Sequence, residues 1–472
     1  METLQRTANR GSISTGYDID NSLKLESDNS EYLDNRHHSA GNRRTWTLSF
    51  WIKRTELGTT QKPYDAGNLA SIAFLSTDKI QIENSDLYLA TDRVFRDTSA
   101  WYHIVLLNDS TQSTASNRAK LWINGVQETS FYSETYMAQN QEGNMNSATS
   151  VSIGGGGGAH VNGYMAELFF VDGQALAPTD FGEYDEDSGI WKPKEYDGTL
   201  SGTSIKLDFS NSSALWEDSS GLSGNGTAMS GNNITSADQA TDSPTNNFCT
   251  PLLIQPFSGT DTITHTEGGT KLTTGGGTGW RTNMSTMSLS SGKWYFEAKH
   301  TGTIDGDAIM TSIVPTARFG NSAYASFYGG QSSGDGIGWY WDSTRFRYDD
   351  GSAISPPTNT VNSGDILGIA LDMDNNFVYS RINGGAWHNN GSADGDPTSG
   401  SSGTGGFAVA DEPHMICTSM YQPLRNFFVN YGGYNAFPVS SAASDANGYG
   451  VFEYAPPSGY YAICTKNLAE FG

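Results

Sequence analysis

The sequence predicts an all-β protein made of two antiparallel, jelly-roll-like β-sandwich domains joined by a Gly/Ser/Asn-rich connection. Three observations carry this. Short apolar runs alternate with a period of two residues, as strands with one buried face do. Turn-forming residues punctuate them: 55 glycines among 472 residues exceed the usual ~7% and imply many sharp reversals. No stretch shows the 3.6-residue period of an amphipathic helix.

The strands follow in order. In Trp46-Thr-Leu-Ser-Phe-Trp-Ile52, the residues Trp46, Leu48, Phe50 and Ile52 share one face, and Thr47 and Ser49 take the other. That is the pattern of a half-buried strand. Trp101 to Leu107 is mostly apolar and reads as a more buried one. Lys120 to Val126 runs into Asn124-Gly125, a pair that accepts positive φ at both positions and closes a tight hairpin. Tyr164, Ala166, Leu168 and Phe170 form a further single face. The same grammar returns later: Trp294 to Lys299 alternates, Ile366 to Met373 is apolar apart from Asp372, and Phe377 to Gly384 ends in a second Asn-Gly hairpin. Residues 210–250 are rich in Ser, Gly and Asn and contain Pro244. The expected division is an N-terminal arm over 1–20, a first sandwich over 21–209, a connection over 210–255, a second sandwich over 256–466 and a C-terminal tail over 467–472. Residues 389–406 read as a long surface loop.

Composition excludes several classes. The formal charge is −24, and an acidic surface repels phosphate backbones, which argues against nucleic-acid binding. The charge is uneven: residues 1–62 carry nine Lys/Arg and eight Asp/Glu, so the rest holds −25. A near-neutral arm on an acidic body suits an attachment segment, and a frayed terminus is the plainer expectation. Cys249, Cys417 and Cys464 show no metal-ligand or CxxC spacing, so buried thiols are expected. No apolar run reaches the ~20 residues of a membrane-spanning helix. Met1 to Arg6 lacks the apolar core of a signal peptide. Folding in a reducing cytoplasm is the expectation.

Several pieces of residues 20–190 carry a resemblance: Leu48-Ser-Phe-Trp-Ile52, Trp101-Tyr-His-Ile104, Leu121-Trp-Ile-Asn-Gly125, Ile153-Gly-Gly155, Gly163-Tyr-Met-Ala-Glu-Leu168 and Asp172-Gly173. In this order and spacing they resemble the laminin-G-like, concanavalin A-like lectin family, whose fold is two curved antiparallel sheets packed face to face. Over residues 256–466, Gly292-Lys-Trp-Tyr-Phe-Glu297, Gly336-Ile-Gly-Trp339, Leu371-Asp-Met-Asp374, Arg381-Ile-Asn-Gly384, Asn430-Tyr-Gly-Gly433 and Gly459-Tyr-Tyr-Ala-Ile-Cys464 look like a SPRY domain, a non-enzymatic binding sandwich. The pairing of the two resembles virion proteins of marine tailed phages. That resemblance implies an exposed tail fibre, spike or capsid decoration, assembled in the host cytoplasm into the virion. It implies contact with other virion proteins and with a host-surface glycan, and a homo-oligomeric state. Polysaccharide depolymerase and cellular adhesion module are the alternatives.

Candidate chemistry is sparse. A glycosidase on such a sandwich needs two carboxylates flanking the scissile bond. Glu183, Asp185 and Asp187 come nearest, but they fall in the exit loop after the last strand. Gly330-Gln-Ser332-Ser-Gly334 matches a nucleophile-elbow pattern without the helix it needs. Gly154 to Gly158 lacks the Lys-Ser/Thr of a phosphate loop and reads as a turn. No catalytic residue and no cofactor is assigned. Asp172 and Asp185 are the loop carboxylates that a structural calcium would use. For glycan binding, where aromatic faces meet sugar rings and amides meet hydroxyls, the candidates are Trp387, His388, Asn389 and Trp341.

Overall fold

A computed structural model describes residues 16–472 apart from 37–38, 68, 187, 223–228, 254–262, 277–279, 303–308, 320–335, 342–346, 350–351, 355–360, 390–391, 401–405 and 422–424. The chain divides between Asn247 and Phe248 into two compact units, and both are antiparallel β-sandwiches.

In the first unit, one sheet runs Val126–Gln127, Ala119–Ile123, Tyr102–Asp109, Thr45–Arg54, Gly163–Asp172, Ser22–Leu25 and Gln239–Ala240, with Ile205–Leu207 also paired to Gly163–Asp172. The other runs Phe131–Thr135, Leu87–Val94, Lys79–Asn84, Ala70–Phe74, Gln61–Asp65, Ser150–Ile153, Tyr32–Arg36 and Met229–Asn232. The alternation read in the sequence sets the register. Leu48 faces Leu106 and Phe50 faces Ile104 across one strand pair, and Met165 faces Ile52 across the next. These side chains meet Ile72, Ile80, Ile82 and Leu89 of the opposite sheet in one core. Each fully buried aliphatic or aromatic side chain there contributes roughly 1.5–3 kcal/mol. Asn124 and Gly125 have φ of 50° and 76°, as the Asn-Gly hairpin requires.

Two expectations change. Thr47 and Ser49 are as buried as their neighbours, because residues 174–200 cover the outer face of this sheet. Thr47 Oγ1 donates to the Gln174 carbonyl at 2.9 Å, and Phe181 packs on Val105, Phe169 and Val171. The stretch expected to connect the domains is also largely part of the first unit. Met229–Asn232 extends one sheet beside Tyr32–Arg36, Gln239–Ala240 extends the other beside Ser22–Leu25, and Lys53 Nζ pairs with Asp242 at 2.7 Å. Polar composition misled there, since edge strands need few apolar side chains. Of the N-terminal arm, residues 1–15 lie outside the described region, while Ile19 is buried and its N–H donates to Thr245 Oγ1.

In the second unit, one sheet runs Ile263–Thr266, Lys271–Thr274, Asn426–Asn430, Lys293–Thr301, Ile366–Asp372, Phe377–Ile382 and Phe407–Ala408, with Tyr461–Ala462 parallel to Lys293–Thr301. The other runs Arg281–Met284, His414–Met420, Ile309–Pro315, Ile337–Tyr340, Arg347–Asp349 and Ser352–Ile354. Trp294, Phe296 and Ala298 point into the core with Leu367, Ile369, Trp339 and Ile416. The expected tail is instead a short helix, Thr465–Phe471. Leu468 joins the core and the Phe471 ring stacks on Tyr461 with centroids 3.8 Å apart. The expected loop over 389–406 contains a strand, Ser392–Gly395, and a 3-10 turn, Pro397–Ser399. Cys249, Cys417 and Cys464 are buried thiols. Among the described residues no helix is long and apolar enough to cross a membrane.

Candidate functional site

The outer face of the larger sheet in the second unit is built by the same period-two rule that builds its core. With Trp294 and Phe296 inward, Tyr295 and Glu297 must face outward. With Val378 and Ser380 inward, Tyr379 and Arg381 face outward. Register places Glu297, Gly368 and Arg381 in one row, and Tyr295, Ala370 and Tyr379 in the next. Gly368 leaves a gap between a carboxylate and a guanidinium, and Tyr295 fills it. A Cβ at Gly368 would lie 2.7 Å from the Tyr295 hydroxyl.

A polar relay results. Arg381 Nη2 donates to Tyr295 Oη at 3.2 Å, and Tyr295 Oη donates to Glu297 Oε1 at 3.1 Å. Glu297 is fully buried and accepts three more hydrogen bonds, from Tyr454 N–H at 2.9 Å, Glu453 N–H at 3.0 Å and Asn430 Nδ2 at 3.1 Å. Burial pushes its carboxyl above the usual range despite these donors. The carboxylate thereby pins the strap at residues 453–454. The strap in turn offers the Ala455 carbonyl to Arg381 Nη2 at 2.6 Å.

Arg381 is held from inside and stacked from outside. Its guanidinium carbon lies 4.6 Å from the Trp387 ring centroid, 5.5 Å from Tyr295 and 6.0 Å from Tyr454. Trp387 gets there because the chain reverses at Asn383-Gly384, with φ of 49° and 64°, and returns as the strand Trp387–Asn389. Trp387 and Tyr454 are both half-buried. The result is a surface platform of two aromatic rings around a fixed cation. Buried Nε of Arg381 has no hydrogen-bond partner, and Nη1 has none among the described residues.

The four sequence candidates do not come together. Trp387 is on this platform. His388, on the next position of the strand, is buried, and burial lowers its pKa. Asn389 ends the strand, and its side chain lies outside the described residues. Trp341 is a core residue: it is 1% exposed, packs edge-on to Phe427 and donates to Thr311 Oγ1 at 3.3 Å. The expectation of Trp341 as a binding residue is therefore corrected. Sequence reading passed over Arg381, Tyr454 and Glu297. Its one available signal was parity: Arg381 shares a face with Tyr379 on the strand Phe377–Ile382.

The first unit's carboxylates are occupied. Asp172 Oδ1 accepts from Asn42 N–H and Asn146 Nδ2, both at 2.7 Å, and Oδ2 accepts from Thr203 N–H at 3.1 Å. Asp172 thus ties three loops together. Asp185 Oδ1 accepts from the N–H and hydroxyl of Ser188, which hold its carboxyl below the usual range. Lys192 Nζ lies 3.4 Å from both Asp185 and Glu183, on the hairpin Gly182–Tyr184 with Trp191–Pro193. Asp187 and Ser332 lie outside the described residues. Among the described residues no group of three or more His, Cys, Asp or Glu side chains is placed to hold a metal ion, and Asp172 and Asp185 serve their own loops.

Comparison with known proteins bears on the first unit. No curated protein matches the chain. Solved structures similar to parts of it include the SPRY domain of human HERC1 (12% identity, 34% of this chain and 89% of that one, TM-score 0.26). The TRIM65 PSpry domain is another (10%, 35% and 84%, 0.26), as is a heptameric SAP-like pentraxin from Limulus polyphemus (16%, 34% and 80%, 0.26). Residues 26–180, most of the first sandwich, match the family model of the concanavalin A-like lectin/glucanases superfamily.

Proposed function

We propose that this chain is a non-enzymatic binding protein that attaches to a glycan-bearing host surface, as an exposed tail fibre, spike or capsid decoration of a tailed-phage virion. The observation that carries the binding part is the half-exposed pair Trp387 and Tyr454, fixed around Arg381 on a rigid sheet. Aromatic faces held in this way stack on the apolar faces of sugar rings without first losing rotamer freedom. The lectin-type family match over residues 26–180 supports the same reading. The virion part rests on the resemblance of the paired sandwiches, and with it come other virion proteins and further copies of this chain as partners. Glu183 and Asp185 share Lys192, which favours binding over hydrolysis.

The test has two parts. A glycan array probed with the full chain is expected to give a defined set of signals that Trp387→Ala loses. Mass spectrometry of purified virions is expected to find the chain. A blank array would overturn the binding reading, and its absence from virions the virion reading.

A further inference from the structure

We infer that the Arg381 platform selects saccharides carrying a carboxylate, the hexuronic-acid class, over neutral ones. This rests on the glycan-binding reading above and narrows it. The argument begins with the charge inventory. The protein carries −24, so its summed field opposes an anionic polymer that approaches within about the Debye length of ~8–10 Å, beyond which salt screens it. A cation can recruit an anion only at short range, and only if no protein carboxylate already neutralises it.

Arg381 meets both conditions. It forms no ion pair among the described residues, and both its hydrogen bonds, to Tyr295 Oη and the Ala455 carbonyl, use Nη2. Among the described residues Nη1 has no acceptor, so it is left to donate to a ligand. Among the described residues, the acidic groups that act on Tyr454 are engaged elsewhere. Glu297 is reached only through Tyr295 and is filled by four donors. Asp365 accepts from Asn383 Nδ2 at 2.7 Å and Asn362 N–H at 2.6 Å. Glu453 accepts from the N–H and hydroxyl of Ser440.

The chemistry of the exposed groups then chooses the ligand. Recognition of neutral sugars needs acceptors as well as donors, because each hydroxyl is both. A guanidinium offers donors alone, and it gains most from an ionised acceptor. Trp387 and Tyr454 beside it supply apolar surface for the ring that carries the carboxylate. A hexuronate presents both features on one residue: a carboxylate at C5 and a C–H face.

The test is calorimetric titration of the full chain with three tetrasaccharides: tetragalacturonate, its methyl ester and neutral tetragalactose. Tetragalacturonate is expected to bind at least about tenfold more tightly than the other two, as loss of one charge-assisted hydrogen bond implies. Arg381→Gln is expected to bring all three to the weaker level, with Trp387→Ala weakening all of them. The methyl ester removes the charge without touching the protein, so the result stands even if Arg381→Gln does not fold. Equal binding of the acid, ester and neutral forms would overturn the selectivity and leave the glycan-binding reading in place. Failure of tetragalacturonate to bind while the array shows other glycans would overturn it equally.

Discussion

Trp191 donates its indole N–H to Nδ1 of His103 across 2.9 Å. That bond fixes the imidazole as neutral with its proton on Nε2, which donates to Ser49 Oγ at 2.8 Å. The Trp51 ring stacks on the same imidazole at 4.4 Å. Burial lowers the His103 pKa to about 3, and burial likewise lowers His265 and His300 to about 4. In the unfolded chain these groups titrate near 6.5. Their folded pKa is depressed, so the folded state binds fewer protons. The stability they contribute is present above pH 6.5 and is lost as pH falls towards the folded values, at up to about 1.4 kcal/mol per pH unit for each histidine. Urea unfolding at pH 7, 6 and 5 is expected to show this loss, and His103→Gln to reduce it. The same pH dependence in His103→Gln as in the parent would show that His103 is not held neutral.

The cluster around Asp242 predicts where the first unit ends. Lys53 Nζ is fully buried between Asp242 Oδ2 and Asn247 Oδ1, both at 2.7 Å. Trp101 Nε1 donates to Asp242 Oδ1 at 3.1 Å. A fragment ending at residue 209 leaves Lys53 without this pair and leaves two sheet edges bare. A fragment of residues 10–247 is expected to melt cooperatively, and one of residues 10–209 to melt lower or not fold. Asp242→Ala in the full chain is expected to cost about 3–5 kcal/mol, the usual penalty for stranding a buried charge. Unchanged melting of this variant would mean the ion pair is not buried in solution.

These two relationships mark what the sequence exposes and what it hides. Strand faces were legible because alternation is local: Trp46, Leu48, Phe50 and Ile52 are all core residues. Both Asn-Gly turns were legible because their φ values are a property of two adjacent residues. The burial of Thr47 and Ser49 was not, since Thr47 is covered by Gln174, 127 positions away, and Ser49 by His103, 54 positions away, with Trp191 bonded to that imidazole. The same holds at the platform. Trp387 stood out as an aromatic beside a turn. Arg381, Glu297 and Tyr454 meet only through sheet register and a distant strap, and no local pattern encodes that. Trp341 shows the reverse error: it follows the strand Ile337–Tyr340 by one residue and lies two positions from Trp339, whose core it shares.

Gly368 offers a test of the platform's internal support. A side chain there would strike the Tyr295 hydroxyl, with a Cβ 2.7 Å away. Gly368→Ala is expected to displace Tyr295 Oη from both Arg381 and Glu297, costing about 1–3 kcal/mol for a buried polar group left unmatched. It is also expected to weaken glycan binding with no change at Trp387 itself. Tyr295→Phe with Gly368→Ala restores space while removing the hydroxyl, and is expected to recover stability in part. Thermal melts and the array together check both effects.

Glu167 supplies a pH dependence opposite to that of the histidines. It sits in the irregularity between Ala166 and Phe169 where the strand register shifts, with a φ of 42° that non-glycine residues adopt only at a cost. Its side chain is buried and accepts from the Tyr17 hydroxyl. Burial raises its pKa to about 7; the Tyr17 hydrogen bond and nearby Lys206 oppose this, and Asp208 and Glu195 reinforce it. The folded pKa lies above the unfolded value of about 4.3, so the folded state binds more protons between the two. Its contribution to stability is fully present below pH 4 and is lost as pH rises through about 7. Glu167→Gln keeps the shape without the charge. Relative to the unchanged protein, it is expected to gain roughly 2–3 kcal/mol between pH 5 and pH 8. Tyr17→Phe removes a donor to the carboxylate and is expected to shift the transition to higher pH. Comparing each variant with the parent at the same pH cancels the histidine contribution. A difference between Glu167→Gln and parent that does not vary with pH would place the carboxyl in solvent rather than under Tyr17.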